Sequence, residues 1–132
     1  MIVVDASVLV TALTDGGAEG ALSRNALASS GSLHAPHLLD VEVTAALRGF
    51  ALGDRIDASD APTAIADLVG YPIARYDHAP LLERTFELRD VLTTYDAMYV
   101  ALAELLETYV LTGDPRMARA VASPDLVRVL EP

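Results

Sequence analysis

The sequence predicts an α/β protein in which a central, mostly parallel β-sheet is covered by helices on both faces. Two short β-prone apolar runs, residues 1–4 and 109–112, lead almost directly into an acidic residue and a helical pattern. An apolar run bounded in this way is typical of a buried strand in a parallel sheet. Strands and helices alternate along the rest of the chain, which favours the same class of fold.

Length and composition indicate one domain spanning residues 1–132, long enough to form a proper core. The hydrophobic content of 52% is high for a soluble monomer and indicates that some apolar surface is buried against a partner. No run approaches the roughly 20 apolar residues that cross a bilayer, so we expect no membrane association. The absence of cysteine and of a signal-like start favours the cytoplasm.

The charge balance limits how this protein can meet a nucleic acid. The net charge is −10, from 19 acidic residues against nine basic ones, all of them arginine. This balance argues against a protein that coats nucleic acid through a basic surface. It is compatible with an enzyme that meets phosphate through bound cations and a few arginines. The candidates for such contacts, each of which has the alternative of an ordinary surface ion pair, are Arg24, Arg48, Arg116 and Arg119.

The first half of the chain predicts three helices and one weak strand after the opening strand. A short helix over residues 7–13 is broken by the Asp-Gly-Gly sequence at 15–17, and helical character resumes over 19–29. Residues 33–35 form a weak strand candidate. Apolar residues then recur at helical spacing over 38–52, which predicts an amphipathic helix.

The middle of the chain predicts two helices, over residues 60–69 and 81–91, with a short strand at 73–76 between them. No motif with a chemical role stands out in this region, which we interpret as scaffold. In the second of these helices we expect three apolar side chains to face the core: Leu82, Phe86 and Leu88.

The last third carries the clearest pattern. A strong helical pattern over residues 96–106 is followed by a second central strand at 109–112. Pro115 suits the first position of the next helix, over 116–121, because its missing N–H would have no partner there. Residues 126–130 are typical of a closing edge strand. Right-handed connections in such a sheet bring the loops that start helices to one edge.

Four acidic residues stand near helix starts that should meet at this edge. Each has an ordinary explanation, because acidic residues cap helices and complement the positive ends of their dipoles. The joint pattern favours a common role. These four candidate catalytic and metal-binding residues are Asp5, Glu42, Asp96 and Asp114.

A cluster of four carboxylates needs compensation. Two carboxylates roughly 5 Å apart repel by about 3 kcal/mol at an effective dielectric near 20. Hard oxygen ligands without cysteine or a matching histidine point to Mg²⁺ or Mn²⁺ rather than zinc. We expect Asp5 and Asp96 to be direct ligands, with Glu42 and Asp114 binding directly or through water. We expect ordinary surface or loop roles for the three histidines: His34, His37 and His78.

Several of these segments resemble a PIN domain, and their arrangement is similar to that of the VapC toxins of bacterial toxin–antitoxin pairs. The matching segments are residues 3–7, Glu42 and its helix, residues 94–104 and residues 111–114. The resemblance implies an α/β/α sandwich and a Mg²⁺- or Mn²⁺-dependent endoribonuclease that cleaves RNA. It also implies a homodimer and a cognate VapB-like antitoxin.

The resemblance also assigns site residues by motif. It places the four acids in the active site, and Ser7 and Thr112 match hydroxyl positions that line it. Together with Arg116, these hydroxyls are candidates for orienting substrate or water. Helix capping is the alternative for both hydroxyls. Asp40 should point away from the Glu42 face, outside the site.

Three other functions remain open at this point. The first is a PIN-like or flap-type nuclease that acts on DNA or processes structured RNA. The second is phosphoryl transfer through an aspartyl nucleophile. Such enzymes typically carry an Asp-x-Asp motif after the first strand. Here Ser7 occupies the second aspartate position, and the chain has no lysine to hold the phosphoryl group. The third is a non-catalytic protein-binding module whose acids only cap helices.

Overall fold

The computed structural model describes residues 1–132, and five strands form one parallel sheet. The strands are β1 (Ile2–Val4), β2 (Leu33–Pro36), β3 (Ile73–Tyr76), β4 (Val110–Thr112) and β5 (Val127–Val129). They lie in the order β3-β2-β1-β4-β5, because the chain extends the sheet from β1 to β2 and β3 and then returns to place β4 on the other side of β1. Strand order therefore reverses at β1 and β4, where open parallel sheets bind their ligands.

Seven α-helices connect and cover these strands. A 3₁₀ turn at Ala79–Leu81 directly precedes the fifth of them. The helices are α1 (Ala6–Thr14), α2 (Ala18–Ser29), α3 (Leu38–Leu52), α4 (Ala61–Gly70), α5 (Leu82–Glu87), α6 (Thr94–Leu105) and α7 (Pro115–Val121). No helix is long and apolar enough to cross a membrane.

Helix α6 lies at the centre of the packing. All residues from 97 to 103 are buried, which means that the helix is covered around its whole circumference. It contacts β1, β2 and β4 on one side and α5 on another. Tyr99 is the largest fully buried side chain in the protein. The core is therefore built around the helix that begins beside Asp96.

The predicted fold class is confirmed, and every predicted strand is present. The helix predicted over residues 38–52 has those bounds in the structure, and most other predicted bounds differ by one or two residues. The sheet is parallel throughout, which agrees with the short apolar strands, since strands covered on both faces carry continuous apolar runs.

The helix predicted over residues 81–91 is wrong in length and in two of its three inward side chains, whereas Leu88 is partly buried against the core as predicted. The chain forms only the 3₁₀ turn and the short α5 there, and Leu82 and Phe86 are 52% and 67% exposed. Leu81 and Thr85 face inward instead, and the Thr85 hydroxyl donates to Met98 Sδ at 3.3 Å. The 3₁₀ turn sets the phase of the helix, and a shift of one residue turns a helix face by about 100°.

The prediction of surface or loop roles for the histidines is wrong for His34. This residue lies buried in β2, between the hydroxyls of Tyr76 at 2.7 Å and Ser32 at 2.9 Å. Burial lowers the pKa of His34 below its usual value. His78 has a structural role as well, because its Nε2 accepts a 2.9 Å hydrogen bond from the backbone N–H of Leu38 at the start of α3.

Candidate active site

Asp5 follows β1 directly and is 8% exposed. It stands at the N-terminus of α1, yet its side chain does not cap that helix. Its Oδ2 instead accepts hydrogen bonds from the hydroxyls of Ser7 and Thr112, each at 2.7 Å. Oδ1 has no hydrogen-bond partner, and no buried polar atom in the protein lacks one, so Oδ1 is accessible to solvent. The carboxylate is thus fixed through one oxygen and open at the other.

The two hydroxyls tie the ends of β1 and β4 together. Thr112 is fully buried, and besides donating to Asp5 its oxygen accepts the backbone N–H of Asp114 at 3.0 Å. The Ser7 oxygen accepts the backbone N–H of Gly113 at 2.9 Å. Each hydroxyl therefore connects the Asp5 carboxylate to the loop after β4. Their first role is to orient Asp5 rather than to cap a helix.

Glu42 lies one turn inside α3, and its side chain reaches the same edge. Its Oε1 accepts a 2.6 Å hydrogen bond from the hydroxyl of Tyr99 on α6. Burial raises the pKa of Glu42 above its usual value, and the charges of Asp5 and Asp96 raise it further, against the opposing effect of the Tyr99 bond. These electrostatic couplings show that the three carboxylates are neighbours.

Tyr99 is a site residue that the sequence reasoning missed. The signal was present, because a tyrosine hydroxyl within a fully buried helix needs a hydrogen-bond partner. Burial, followed by the bond to Glu42, raises the pKa of Tyr99 far above its usual range. The phenol therefore acts as a hydrogen-bond donor to Glu42.

Asp96 lies in the first turn of α6. Its backbone N–H is capped by the hydroxyl of Thr93 at 3.2 Å, so the helix start is satisfied without the Asp96 carboxylate. Burial raises the pKa of Asp96, and the charges of Asp5 and Asp114 add to this effect. A half-buried carboxylate with raised proton affinity is one that a cation would stabilise.

Asp114 caps the start of α7, as expected from its position before Pro115. Its Oδ1 accepts the backbone N–H of Arg116 at 2.9 Å. The Arg116 guanidinium also engages both oxygens, at distances between 2.9 and 3.1 Å. These contacts hold the pKa of Asp114 below its usual value. Its carboxylate is therefore already paired with a cation belonging to the protein.

The structure brings the four acids to one edge of the sheet without forming a ready ligand shell. No three acidic or histidine side chains are positioned to hold one metal ion together. The donor chemistry still fits Mg²⁺ or Mn²⁺, because these ions take oxygen ligands and commonly bind one or two carboxylates plus several waters. The open oxygen of Asp5 and the raised proton affinity of Asp96 and Glu42 match such a cation.

Other charged residues have contacts elsewhere. The Arg24 guanidinium donates to the backbone carbonyls of Ala12 at 3.0 Å and Asp15 at 2.8 Å, which joins α1 to α2. Asp40 forms an ion pair with Arg75 at 2.9 Å and stays outside the site, as predicted. Arg116 is thus the predicted phosphate-binding arginine that lies in contact with the acidic edge.

A cavity of about 150 Å³ opens beside this edge. Its walls include Ser7 and Gly113, which belong to the loops around Asp5, and Thr11, Glu19 and Ser23 from α1 and α2. None of the four acids lines the cavity, so it adjoins the candidate site only through Ser7 and Gly113.

Sequence comparison matches residues 2–122 to the PIN domain family. The chain is 45% identical over 130 residues to Ribonuclease VapC1 of Mycobacterium tuberculosis, covering 97% of this chain and 96% of that protein. It is 40% identical over 118 residues to Ribonuclease VapC9 of the same organism, covering 89% of each. A toxin–antitoxin complex from Klebsiella pneumoniae shares the fold, with a TM-score of 0.69, 17% identity and coverage of 99% and 98%.

The fold, the acidic edge and these similarities define the chain as a member of the PIN domain family. Within that family, the identity to VapC1 and VapC9 over nearly the whole chain makes it a VapC-type PIN ribonuclease.

Proposed function

We propose that this protein is an endoribonuclease toxin of the VapC type, which hydrolyses RNA phosphodiester bonds with Mg²⁺ or Mn²⁺ and is neutralised by a cognate VapB-like antitoxin. One observation of the structure carries the proposal. Asp5 is held through Oδ2 by two hydroxyls at the point where strand order reverses, and its charge raises the proton affinity of both Glu42 and Asp96. The negative charge of these carboxylates is therefore not fully balanced by the protein, and a bound cation would balance it.

The residues that would hold the divalent cation are Asp5 and Asp96 directly, with Glu42 and Asp114 binding directly or through water. When bound, the cation supplies Lewis-acid polarisation of the phosphodiester and neutralises developing negative charge. Ser7 and Thr112 keep the Asp5 carboxylate in one orientation by donating to the same oxygen. This leaves the other oxygen of Asp5 for the ligand.

Glu42 suits the role of proton acceptor. Hydrolysis forms a bond from a water oxygen to phosphorus and breaks the bond from phosphorus to one ribose oxygen, which takes up a proton from solvent. The attacking water must lose a proton, and a carboxylate held beside it can accept that proton. The Tyr99 hydroxyl fixes the position of the Glu42 carboxylate for this role.

The proposed partners follow from the same surface. An acidic edge suits an antitoxin that inserts arginine, because complementary charge steers association. The exposed apolar side chains, among them Val41, Leu52 and Val69, are in keeping with the predicted homodimer, which sedimentation at several concentrations would measure. An RNA substrate places the proposed activity in the cytoplasm.

The function is tested by incubating the purified protein with matched single-stranded RNA and DNA oligonucleotides in Mg²⁺, Mn²⁺ or chelator. Cleavage of RNA only, in the presence of either metal, is expected. DNA cleavage at an equal rate would overturn the assignment as an endoribonuclease. Addition of the product of an adjoining small reading frame that encodes a DNA-binding protein should suppress cleavage at equimolar ratio.

Asp5→Asn provides the matched control for contaminating ribonuclease. The amide keeps the size of the side chain but removes its negative charge. Cleavage that persists unchanged in this variant would show that the activity belongs to another protein in the preparation or does not depend on the acidic edge.

A further inference from the structure

Arg116 forms a close ion pair with Asp114, one of the four proposed metal-binding residues. Its guanidinium binds Asp114 with Nε at 3.0 Å from Oδ1 and 3.1 Å from Oδ2, and with Nη2 at 2.9 Å from Oδ2. The Arg116 side chain is 82% exposed, and that of Asp114 is 30% exposed. Both carboxylate oxygens of Asp114, a proposed metal ligand, therefore accept hydrogen bonds from a largely exposed arginine side chain.

This contact removes Asp114 from the set of free carboxylates at the acidic edge. While the guanidinium covers Asp114, that carboxylate has no oxygen left to share with Asp5 or Asp96. The positive charge of Arg116 also acts on Asp96. In the absence of a divalent ion, Arg116 thus supplies part of the positive charge that the acidic edge requires.

We propose that Arg116 is exchanged between two anions during the reaction: it occupies Asp114 in the resting protein, leaves it when a divalent cation binds, and then binds a phosphate of the RNA. This inference rests on the proposed function and assigns a mechanism to one of its residues. The guanidinium neutralises Asp114 before the metal binds, and it binds the substrate phosphate afterwards.

The energetics allow such an exchange. An ion pair this exposed contributes little to stability, so a divalent cation displaces it at small cost. The released guanidinium can form paired hydrogen bonds with phosphate as well as it did with carboxylate. The chemistry of the group is therefore equally suited to both partners.

The helix does not have to unfold for the exchange. The backbone N–H of Arg116 donates to Asp114 Oδ1 independently of the side chain. Pro115 holds the first position of α7 with its fixed backbone angle. The cap can therefore persist while the guanidinium swings away, and Oδ2 becomes available to a cation.

The test measures Mn²⁺ affinity and RNA cleavage in the same variants, with Mn²⁺ binding followed by electron paramagnetic resonance in the absence of RNA. Arg116→Gln should bind Mn²⁺ up to about fivefold more tightly, because the ion no longer competes with the Arg116–Asp114 ion pair. The KM for RNA at saturating Mn²⁺ should rise about tenfold, since one phosphate contact is lost. The two effects have opposite signs.

Arg119→Gln is the matched control. Arg119 lies on the same helix, and its charge acts on Asp114 without a hydrogen bond. The control therefore changes the net charge equally but leaves the contact in place, and its effect on Mn²⁺ affinity should be clearly smaller. Arg116→Lys, which keeps the charge but not the paired geometry, should fall between wild type and Arg116→Gln in both measurements.

Three outcomes would overturn the exchange: equal effects of Arg116→Gln and Arg119→Gln on Mn²⁺ affinity, weaker Mn²⁺ binding by Arg116→Gln, or an unchanged KM. With wild-type cleavage intact, these results remove the exchange and leave the proposed function standing. A wild-type protein that neither binds Mn²⁺ nor cleaves RNA would remove both. Circular dichroism melting of each variant confirms that the comparison is made between folded proteins.

Discussion

The hydroxyl of Tyr99 lies 2.6 Å from Oε1 of Glu42, and this hydrogen bond joins α6 to α3 across 57 positions of sequence. Tyr99 is fully buried, and burial keeps its phenol protonated. Glu42 is only half-buried, so without this bond its side chain could adopt several rotamers. Through this bond the packed core fixes the position of the Glu42 carboxylate in the candidate active site.

Replacing Tyr99 by phenylalanine should weaken the proposed activity while keeping the core packed. A hydrogen bond to a charged group contributes about 1.5–3 kcal/mol, so RNA cleavage should fall about ten- to hundredfold. Stability should fall by a smaller amount, because the freed Glu42 regains water. Cleavage rates in Mn²⁺ and urea unfolding in chelator measure the two effects.

Tyr71→Phe is the control for this substitution. Tyr71 is partly buried, and its hydroxyl forms no hydrogen bond with the protein. Its loss should leave cleavage unaltered. If Tyr99→Phe cleaved RNA at the wild-type rate, the position of Glu42 would not depend on this bond.

Asp96→Asn should separate a role in metal binding from a role in helix capping. Cleavage should fall about a hundredfold or more, because a lost metal ligand removes several kcal/mol of stabilisation. In chelator the melting temperature should be equal or higher, because one of several repelling charges is gone and Thr93 still caps α6. Thermal melting and cleavage assays test both expectations.

Asp90→Asn is the matched control, since Asp90 is exposed and has no ion-pair partner. Cleavage should stay at the wild-type rate. The free energy of unfolding should change by no more than about 0.5 kcal/mol, as is usual for a substitution on the surface. A large drop in the melting temperature of Asp96→Asn in chelator would favour a structural role for that carboxylate instead.

Thr112→Val should disturb the orientation of Asp5. The substitution keeps the shape of a fully buried side chain but removes the donor to Asp5 and the acceptor for the backbone N–H of Asp114. Loss of these bonds should cost about 1–3 kcal/mol of stability and reduce cleavage. Thr63→Val, on the exposed face of α4, should do neither. Equal unfolding midpoints for the two variants would contradict a structural role for the Thr112 hydroxyl.

Stability without metal should decline as pH rises above the ordinary pKa of a carboxylate. The pKa of Glu42 and of Asp96 are both raised, so between the ordinary and the raised pKa the folded protein binds more protons than the unfolded chain. The linkage relation then gives a stability that is full below the ordinary pKa and is lost as pH rises through the raised one. Asp114 has the opposite sign, because its pKa is lowered, but its contribution is lost only below its ordinary 3.8.

Urea unfolding in chelator at successive pH values measures this dependence. The difference in midpoint between wild type and the double variant Glu42→Gln, Asp96→Asn should widen in favour of the variant as pH rises. A constant difference across the range would show that the two carboxylates titrate alike in the folded and unfolded protein.

Much of the site could be predicted because its residues follow local patterns. Asp5 and Asp114 come directly after apolar strands, and neighbouring parallel strands bring such positions together. Tyr99 was not predicted, although a buried hydroxyl needs a partner, because nothing in its neighbourhood indicates that the partner is Glu42. The inward face of α5 was placed one residue out of phase, since a 3₁₀ turn changes the helical phase without changing the apolar spacing.

The sequence by itself determined the fold class, the order of strands and helices, and the acidic residues that stand near helix starts. These features depend on periodicity and on residues a few positions apart, which are readable along the chain. The tertiary structure decided that β1 lies between β2 and β4, that Tyr99 binds Glu42, and that Asp114 is covered by Arg116. The first two join distant segments, and the third depends on which of several competing cations a carboxylate binds.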